Sequence, residues 1–182
     1  MKRAIAAVVF AAAISATAAT KPIPDVAVID QNGRSLHFYR DLIEKRIVVL
    51  AFFYTQCRGV CPIVGRTLAD LQSALGDRIG REVFLVSVTL DPRADTPGQL
   101  AEWGRRYGVK PGWTLVTGTP DAIDELVREL TGSEARPSLH SPVLCILNDR
   151  TGEWIRDTGN AAPKRYIDRI DEMIRRETPV RR

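Results

Sequence analysis

The chain has 182 residues, of which 45% are hydrophobic and 26% charged, and its formal net charge is +4. This is ordinary globular composition, long enough for one sizeable buried core, and it shows neither internal repeats nor low-complexity bias. The net charge is small, and the basic pairs Arg175-Arg176 and Arg181-Arg182 fit a solvated helix end, so nothing favours nucleic-acid binding.

The first residues have the layout of a signal peptide. Lys2-Arg3 precede an apolar run from Ala4 to Ile14, and Ala16-Thr17-Ala18 fits the small-residue cleavage pattern. The apolar run is shorter than a membrane-spanning helix requires, which favours cleavage over an uncleaved membrane anchor. We therefore expect a signal peptide at residues 1–19 and a single exported domain at residues 20–182.

The domain is predicted to open with a β-hairpin followed by a central strand. Asn32-Gly33 is a typical hairpin turn, here between Val26–Asp30 and Ser35–Phe38. The run Ile47–Tyr54 is β-branched and aromatic without polar alternation, as in strands that are buried on both faces.

A helix and a second buried strand are predicted next. The helix is indicated by apolar residues at intervals of three or four, namely Val64, Leu68, Leu71 and Leu75. Gly76 is expected to end it. The continuous apolar run Val83–Thr89 predicts a strand parallel to the first, because strand, helix and strand in succession form a crossover unit.

The remaining elements alternate between helices and strands. Thr96-Pro97-Gly98-Gln99 supplies an N-cap, a proline in the first turn and a capping-box partner for a second helix. The other predicted elements are strands at Trp113–Thr117, Val143–Leu147 and Trp154–Asp157, a helix at Pro120–Leu130, and a last helix lined by Tyr166, Ile167, Ile170, Met173 and Ile174. Parallel strands and hairpins in one sheet, with helices on its faces, predict an α/β fold.

Cys57 and Cys61 are the candidate reactive residues. They lie where the first buried strand ends and the helix begins, so backbone N–H groups and the helix dipole should lower the pKa of Cys57. On one helix face, positions i and i+4 have Cβ atoms about 5–6 Å apart, wider than a relaxed disulfide allows, and a metal tolerates that gap. The spacing therefore favours a metal site, with a structural disulfide as the alternative.

The donor set narrows the choice of metal. Two thiolates are soft ligands that suit Cu(I), zinc or iron–sulfur sites, and a structural zinc or cluster site normally needs four strong ligands. His140 is the better third ligand, because it lies in a loop that leads into a core strand. His37 fits an exposed strand residue, and Cys145 fits a small buried apolar residue.

Several motifs in the same order identify a family resemblance. The runs FFYTQCRGVCP and SVTLDPRADTP, the segment GWTLVTG and the late His-Ser before a strand resemble the Sco/SenC proteins over roughly residues 22–175. The resemblance implies a thioredoxin-like fold, with a central mixed sheet flanked by helices and an added N-terminal β-hairpin.

The resemblance also implies a function. It implies a periplasmic copper chaperone for the binuclear copper centre of cytochrome c oxidase, with copper, as Cu(I), Cu(II) or both, held by Cys57, Cys61 and His140. The implied partner is the copper-bearing subunit of the apo-oxidase or another periplasmic copper protein, besides a thiol-redox partner.

Three positions modify the family pattern. Arg58 replaces the usual proline after the first cysteine and is expected to favour the Cys57 thiolate, and Leu139 replaces a common aspartate before the histidine. The N-terminus looks like a cleavable leader instead of the family's membrane anchor. Asp91 is retained and is either a turn residue or one that supports the metal ligands or a partner.

Two competing activities remain open at this stage. Cys57 and Cys61 would serve a thiol–disulfide oxidoreductase as attacking and resolving cysteines, acting on cysteines of the oxidase or of another copper protein. A peroxide-reducing enzyme would also use Cys57, but the sequence supplies no recognisable threonine and arginine pocket for peroxide.

Overall fold

The computed structural model describes residues 23–132 and 142–177, which form one seven-stranded mixed sheet with helices on both faces. The strands are β1 Ala27–Asp30, β2 Ser35–His37, β3 Ile47–Phe53, β4 Val83–Thr89, β5 Trp113–Gly118, β6 Val143–Asn148 and β7 Glu153–Thr158. The α-helices are α1 Cys61–Leu75, α2 Pro97–Tyr107, α3 Pro120–Thr131 and α4 Pro163–Glu177. The strand order is β2-β1-β5-β4-β3-β6-β7, which confirms the predicted α/β class and the N-terminal hairpin.

Strand β3 is an interior strand of the sheet, between β4 and β6. All seven of its residues are buried, as the absence of polar alternation predicted. It pairs in parallel with β4, from Ile47 opposite Val83 to Phe53 opposite Thr89, and antiparallel with β6. The carboxyl ends of β3 and β4 therefore meet at one edge of the sheet, where the amino end of β6 also lies.

Alternate side chains of β3 enter separate cores on the two faces of the sheet. Val49, Ala51 and Phe53 pack with residues of α1, α2 and α4. Val48 and Leu50 pack on the other face with residues of α3 and of segment 38–43. This alternation follows from the two-residue period of a strand, and it explains why β3 has no polar position.

Helix ends follow the signals in the sequence. Thr96 and Gln99 form the predicted capping box at the start of α2, and α1 stops at Leu75, immediately before Gly76. Thr119 caps α3 through the backbone N–H of Ala122, at 3.3 Å. These caps satisfy backbone donors that a helix leaves free in its first turn.

The segment Phe38–Ile43 differs from the prediction, because Phe38 begins a short π-helix instead of ending β2. Asp25 accepts hydrogen bonds from the backbone N–H groups of Tyr39 and Arg40, both at 3.0 Å, and this fixes the first turn. A single six-residue turn is too short for apolar periodicity to reveal. Within the described part of the chain, no helix is long and apolar enough to cross a membrane.

A close approach of two glycines supplies a test of this packing. Gly112 has φ +96°, and a Cβ atom there would lie 2.6 Å from the backbone nitrogen of Gly80. We expect Gly112→Ala to lower the free energy of unfolding by at least ~3 kcal/mol, because both the left-handed backbone and the backbone clash oppose it.

Gly33→Ala is the matched control. Gly33 also has a positive φ, +79°, but a Cβ atom there meets nothing within 4 Å. Gly33→Ala should therefore lower the free energy of unfolding, measured in urea, by only about 1 kcal/mol. Equal losses in the two variants would show that the Gly80–Gly112 contact has no effect on stability.

Candidate thiol and metal site

The two candidate cysteines lie at the sheet edge where β3 ends. Cys57 is partly exposed in the loop between β3 and α1, and its backbone N–H donates to the carbonyl of Tyr54 at 3.2 Å. Cys61 is 1% exposed and is the first residue of α1, with Pro62 in the first turn, where a missing N–H costs no helical hydrogen bond. One sulfur therefore faces solvent and the other faces the core, and both are free thiols.

The two cysteines are not arranged on one helix face, as their spacing in the sequence had suggested. Cys57 precedes the helix, so the two residues do not share a helix face. Instead, the backbone N–H of Cys61 donates to Cys57 Sγ at 3.3 Å. Because the first N–H groups of a helix have no partner within it, the start of α1 supplies a hydrogen-bond donor to the sulfur.

The surroundings move the two thiol pKa values in opposite directions. Burial on its own raises the pKa of Cys57, but a hydrogen bond with the Cys61 thiol and others from backbone N–H groups outweigh it. The Tyr54 hydroxyl also favours the Cys57 thiolate, and the resulting pKa lies below the ordinary value. Burial and the neighbouring Cys57 sulfur raise the pKa of Cys61. Cys57 is therefore the nucleophilic thiol, and Cys61 holds its proton.

Cys145 and His37 are far from this pair. Cys145 is fully buried in β6 and packs in the core on the opposite face from Cys57 and Cys61, which confirms its predicted structural place. His37 lies on the edge strand β2, four positions from β3 in the sheet, with its side chain half-exposed near Asp25. Neither residue can join the two sulfurs around one metal.

His140, with its neighbour Leu139, lies outside the described residues, as does the expected leader at 1–19. Among residues 23–132 and 142–177, no group of three or more histidine, cysteine or carboxylate side chains is close enough together to hold a metal. The described chain thus contributes two sulfur donors, Cys57 and Cys61, at this edge.

A buried carboxyl group that the sequence analysis overlooked holds the cysteine loop. Asp95 is 1% exposed and accepts hydrogen bonds from the backbone N–H of Thr55, at 3.1 and 3.2 Å to its two oxygens, and from the Thr55 hydroxyl. It also accepts one from the hydroxyl of Thr89, the last residue of β4. The only sequence signal is its position just before the N-cap Thr96, which does not reveal its distant partner Thr55.

Asp91 belongs to the turn beside this group. Its side-chain oxygen accepts a hydrogen bond from the backbone N–H of Ala94 at 3.3 Å, and its carbonyl accepts from Asp95 at 2.8 Å. These contacts match the turn-forming interpretation of Asp91. Its negative charge also raises the pKa of Tyr54, after the larger effects of Cys57 and burial, so the turn lies close to the site.

An open cleft of about 270 Å³ lies beside Cys57. One wall is the loop from Thr55 to Arg58, and the other is a face of α2 that carries Gln99, Glu102, Trp103 and Arg106. The ring of Trp103 lies 4.4 Å from that of Phe53 and 4.3 Å from that of Tyr107, measured between centroids. The contact between Phe53 and Trp103 packs α2 against the end of β3, where α2 forms this wall of the cleft.

Comparison with known proteins identifies relatives of the whole domain. The SCO1/SenC family model matches residues 17–173. A protein of Stutzerimonas stutzeri whose name proposes copper binding is 28% identical over 110 residues, which cover 60% of this chain and 52% of that protein. The chain spans about half to two thirds of the length of the curated relatives it matches.

Solved structures share the fold at low sequence identity. Yeast Sco1 with copper bound has a TM-score of 0.70 at 20% identity, covering 88% of this chain and 98% of that one. BsSco, described as having a disulfide switch and as a member of the Sco family of cytochrome c oxidase assembly proteins, has a TM-score of 0.70 at 17% identity, covering 84% and 93%. The fold is thioredoxin-like, as the resemblance implied.

The opposite pKa shifts predict different reactivity of the two thiols. A lowered pKa means that the Cys57 thiolate forms at a lower pH, whereas the raised pKa keeps Cys61 protonated. Iodoacetamide labelling of the reduced protein, followed by peptide mapping, should therefore modify Cys57 with a midpoint below that of the same cysteine in unfolded protein. Cys61 should stay unmodified at the pH at which labelling of Cys57 is complete. Equal labelling of both cysteines at every pH would contradict the opposite pKa shifts.

Asp95→Ala tests the hydrogen-bonded group at the base of the loop. The change leaves Thr55 and Thr89 without their buried acceptor, so we expect the free energy of unfolding to fall by about 2–4 kcal/mol. Asp70→Ala, at an exposed position on α1, is the control and should change it by less than about 0.5 kcal/mol. Urea unfolding of both reduced variants measures the difference, and equal stabilities would refute the role of Asp95.

Proposed function

The chain belongs to the SCO1/SenC family, and on that premise we propose that it is a periplasmic copper metallochaperone serving the binuclear copper centre of cytochrome c oxidase. In this proposal Cys57, Cys61 and His140 hold the copper that the protein delivers. The recipient is the copper-bearing subunit of the oxidase or another periplasmic copper protein. The leader-like segment at residues 1–19 supports an exported location.

The observation that carries the proposal is a pair of adjacent cysteines, of which Cys57 lines an open cleft and Cys61 is buried behind it. Cys57 Sγ lies next to the start of α1, within hydrogen-bond distance of Cys61, and one side of it faces solvent. Two adjacent sulfurs are a soft donor set that fits Cu(I), and the cleft gives a partner access to it. Because Cys61 retains its proton, copper binding at both sulfurs must release that proton.

The chain path supports His140 as the third ligand. Strand β6 runs antiparallel to β3, with Leu144 opposite Ala51, so β6 begins at the edge where β3 ends and Cys57 follows. Pro142 accepts a hydrogen bond from the backbone N–H of Gly159, and a Cβ atom on Gly159 would lie 3.0 Å from Val64 of α1. His140 is two residues before Pro142, a span of at most ~7 Å. The two residues that separate His140 from Pro142 therefore begin near Val64, which lies one helical turn after Cys61 in α1.

The relatives favour the same cargo and destination. Yeast Sco1 has a copper-bound structure, and BsSco is described as one of the cytochrome c oxidase assembly proteins. These descriptions apply to those proteins, and they motivate the choice of copper and of the oxidase for this chain.

A second candidate, a thiol–disulfide oxidoreductase, is favoured by the contrast between the two thiols. The partly exposed Cys57 has the lowered pKa of an attacking cysteine, and the buried Cys61 has the raised pKa of one that reacts only after a mixed disulfide has formed. Such an enzyme would keep the cysteines of the oxidase, or of another copper protein, reduced for metal loading.

A copper titration tests the first proposal. The reduced protein should bind one Cu(I) per chain in competition with a chelator, and Cys57→Ser or Cys61→Ser should each nearly abolish binding, because one sulfur and one nitrogen hold copper poorly. His140→Ala should weaken binding strongly, because it removes a direct ligand, and leave the reaction of Cys57 with small disulfides unchanged.

The chain supplies matched controls for each ligand. His37→Ala removes the other histidine, and Cys145→Ala removes the third cysteine, and both variants should bind copper like the unchanged protein. If His140→Ala kept full copper affinity but slowed disulfide exchange, the oxidoreductase would replace the chaperone. If neither property changed, His140 would have no part in the site.

A further inference from the structure

The cleft beside Cys57 carries an arginine on each wall. Arg58 follows the cysteine directly, and Arg106 projects from α2, one turn beyond Glu102 and Trp103. Both arginines are exposed. A molecule that reaches Cys57 through this cleft therefore approaches a surface that carries both arginines.

These arginines make no ion pair with any described residue. Other basic side chains do have carboxylate partners, for example Arg34 with Asp30 and Arg165 with Asp157, both at 2.7 Å. Glu102 shares the cleft, and it too makes no ion pair in the described chain. The charge of the two arginines is thus left available to an approaching molecule.

Arg66 adds a third positive charge nearby. It is exposed on α1, five residues after Cys61. Burial raises the pKa of Tyr107, whereas the guanidinium groups of Arg106 and Arg66 act on the same hydroxyl in the opposite direction. The thiols of Cys57 and Cys61 also act on that hydroxyl, in the direction that raises its pKa. Among the residues that line the cleft itself, two arginines, Arg58 and Arg106, accompany one carboxylate, Glu102.

We propose that Arg58 and Arg106 form a docking rim for a partner polypeptide that presents carboxylate side chains next to its own cysteine pair. The inference rests on the proposed function in one respect, since it takes Cys57 as the atom through which the partner exchanges copper or a disulfide. The inference adds the kind of side chain that the partner carries, which is a carboxylate. Opposite charges steer such encounters mainly by raising the association rate, and salt weakens the effect.

Thiol–disulfide exchange with synthetic peptides measures this preference without copper. The Cys57 thiolate attacks one sulfur of a peptide disulfide, which forms a mixed disulfide and releases a peptide thiolate. Cys61 then loses its proton to solvent and attacks Cys57 Sγ, the second peptide thiolate leaves, and both peptide thiolates take up protons from solvent. Two electrons pass from the protein to the peptide, and the products are a Cys57–Cys61 disulfide and a peptide dithiol.

Three peptides of equal length, each with one internal disulfide flanked by glutamate, glutamine or lysine, are the probes. At low ionic strength the glutamate peptide should oxidise the reduced protein about tenfold faster than the lysine peptide, and the ratio should shrink towards one at 0.5 M salt. The ratio cancels any change in the pKa of Cys57, because the same thiol attacks both peptides. Each rate is first divided by the rate of that peptide with a small neutral thiol, so that the intrinsic reactivity of the peptide disulfides also cancels.

Charge variants locate the effect. Arg58→Gln and Arg106→Gln should each reduce the ratio about threefold, and Arg106→Glu should bring it to one or below. The control is Arg81→Gln, an exposed arginine just before the amino end of β4, at the opposite end of the parallel strands, which should leave the ratio unchanged.

Three results would overturn the proposal. They are a ratio below two in the unchanged protein, an equal loss in Arg81→Gln, or binding to anionic lipid vesicles that Arg106→Glu abolishes while the peptides react at equal rates. If the unchanged protein failed to bind Cu(I) in the titration described above, the chaperone proposal would be refuted, but the ratio of peptide reaction rates would not be affected. The two proposals can therefore fail separately.

Discussion

The hydrogen bonds to Asp95 are the interaction on which the site depends. One buried carboxyl group joins the loop that follows β3 to the last residue of β4, and it directly precedes the capping residue of α2. The loop after β3 is thereby joined to the segment between β4 and α2, some 40 residues later, at one edge of the sheet. Because two of the donors come from Thr55, the position of Cys57, two residues later, is tied to the parallel pairing of the central strands.

The same edge gives two chemically identical side chains different properties. Cys61 is buried as the first residue of a helix, and burial opposes its ionisation. Cys57 remains outside the helix, where the free N–H groups of the first turn stabilise its thiolate. This asymmetry suits sequential disulfide exchange, and a soft metal that binds both sulfurs would remove it by displacing the second proton. In the proposed function, copper binding and thiol exchange would therefore compete for the same two atoms.

Much of the fold could be predicted because the signals are local. The apolar run of β3, the capping box of α2 and the Asn32-Gly33 turn each depend on neighbouring residues, and the structure confirms all three. The π-helix at Phe38–Ile43 was missed because Asp25, which accepts hydrogen bonds from two of its N–H groups, lies a dozen or more residues earlier.

The site was predictable only in part. The sequence placed Cys57 and Cys61 where β3 ends and α1 begins, and it predicted the direction of the Cys57 pKa shift from the start of a helix. It did not reveal that Cys57 precedes the helix, nor that Asp95 and Trp103 flank the loop, because these contacts join residues some 40 positions apart. The role of His140 remains a prediction.

The residues between the two cysteines can change in sequence more freely than the strands and helices around them. Arg58 and Gly59 are exposed, and a Cβ atom added to Gly59 would meet nothing within 4 Å. Substitutions there can alter the charge and bulk next to the reactive sulfur without disturbing the buried residues of β3 or α1. Selection can therefore adjust reactivity and partner choice at these two positions, while the scaffold that presents the sulfurs stays constant.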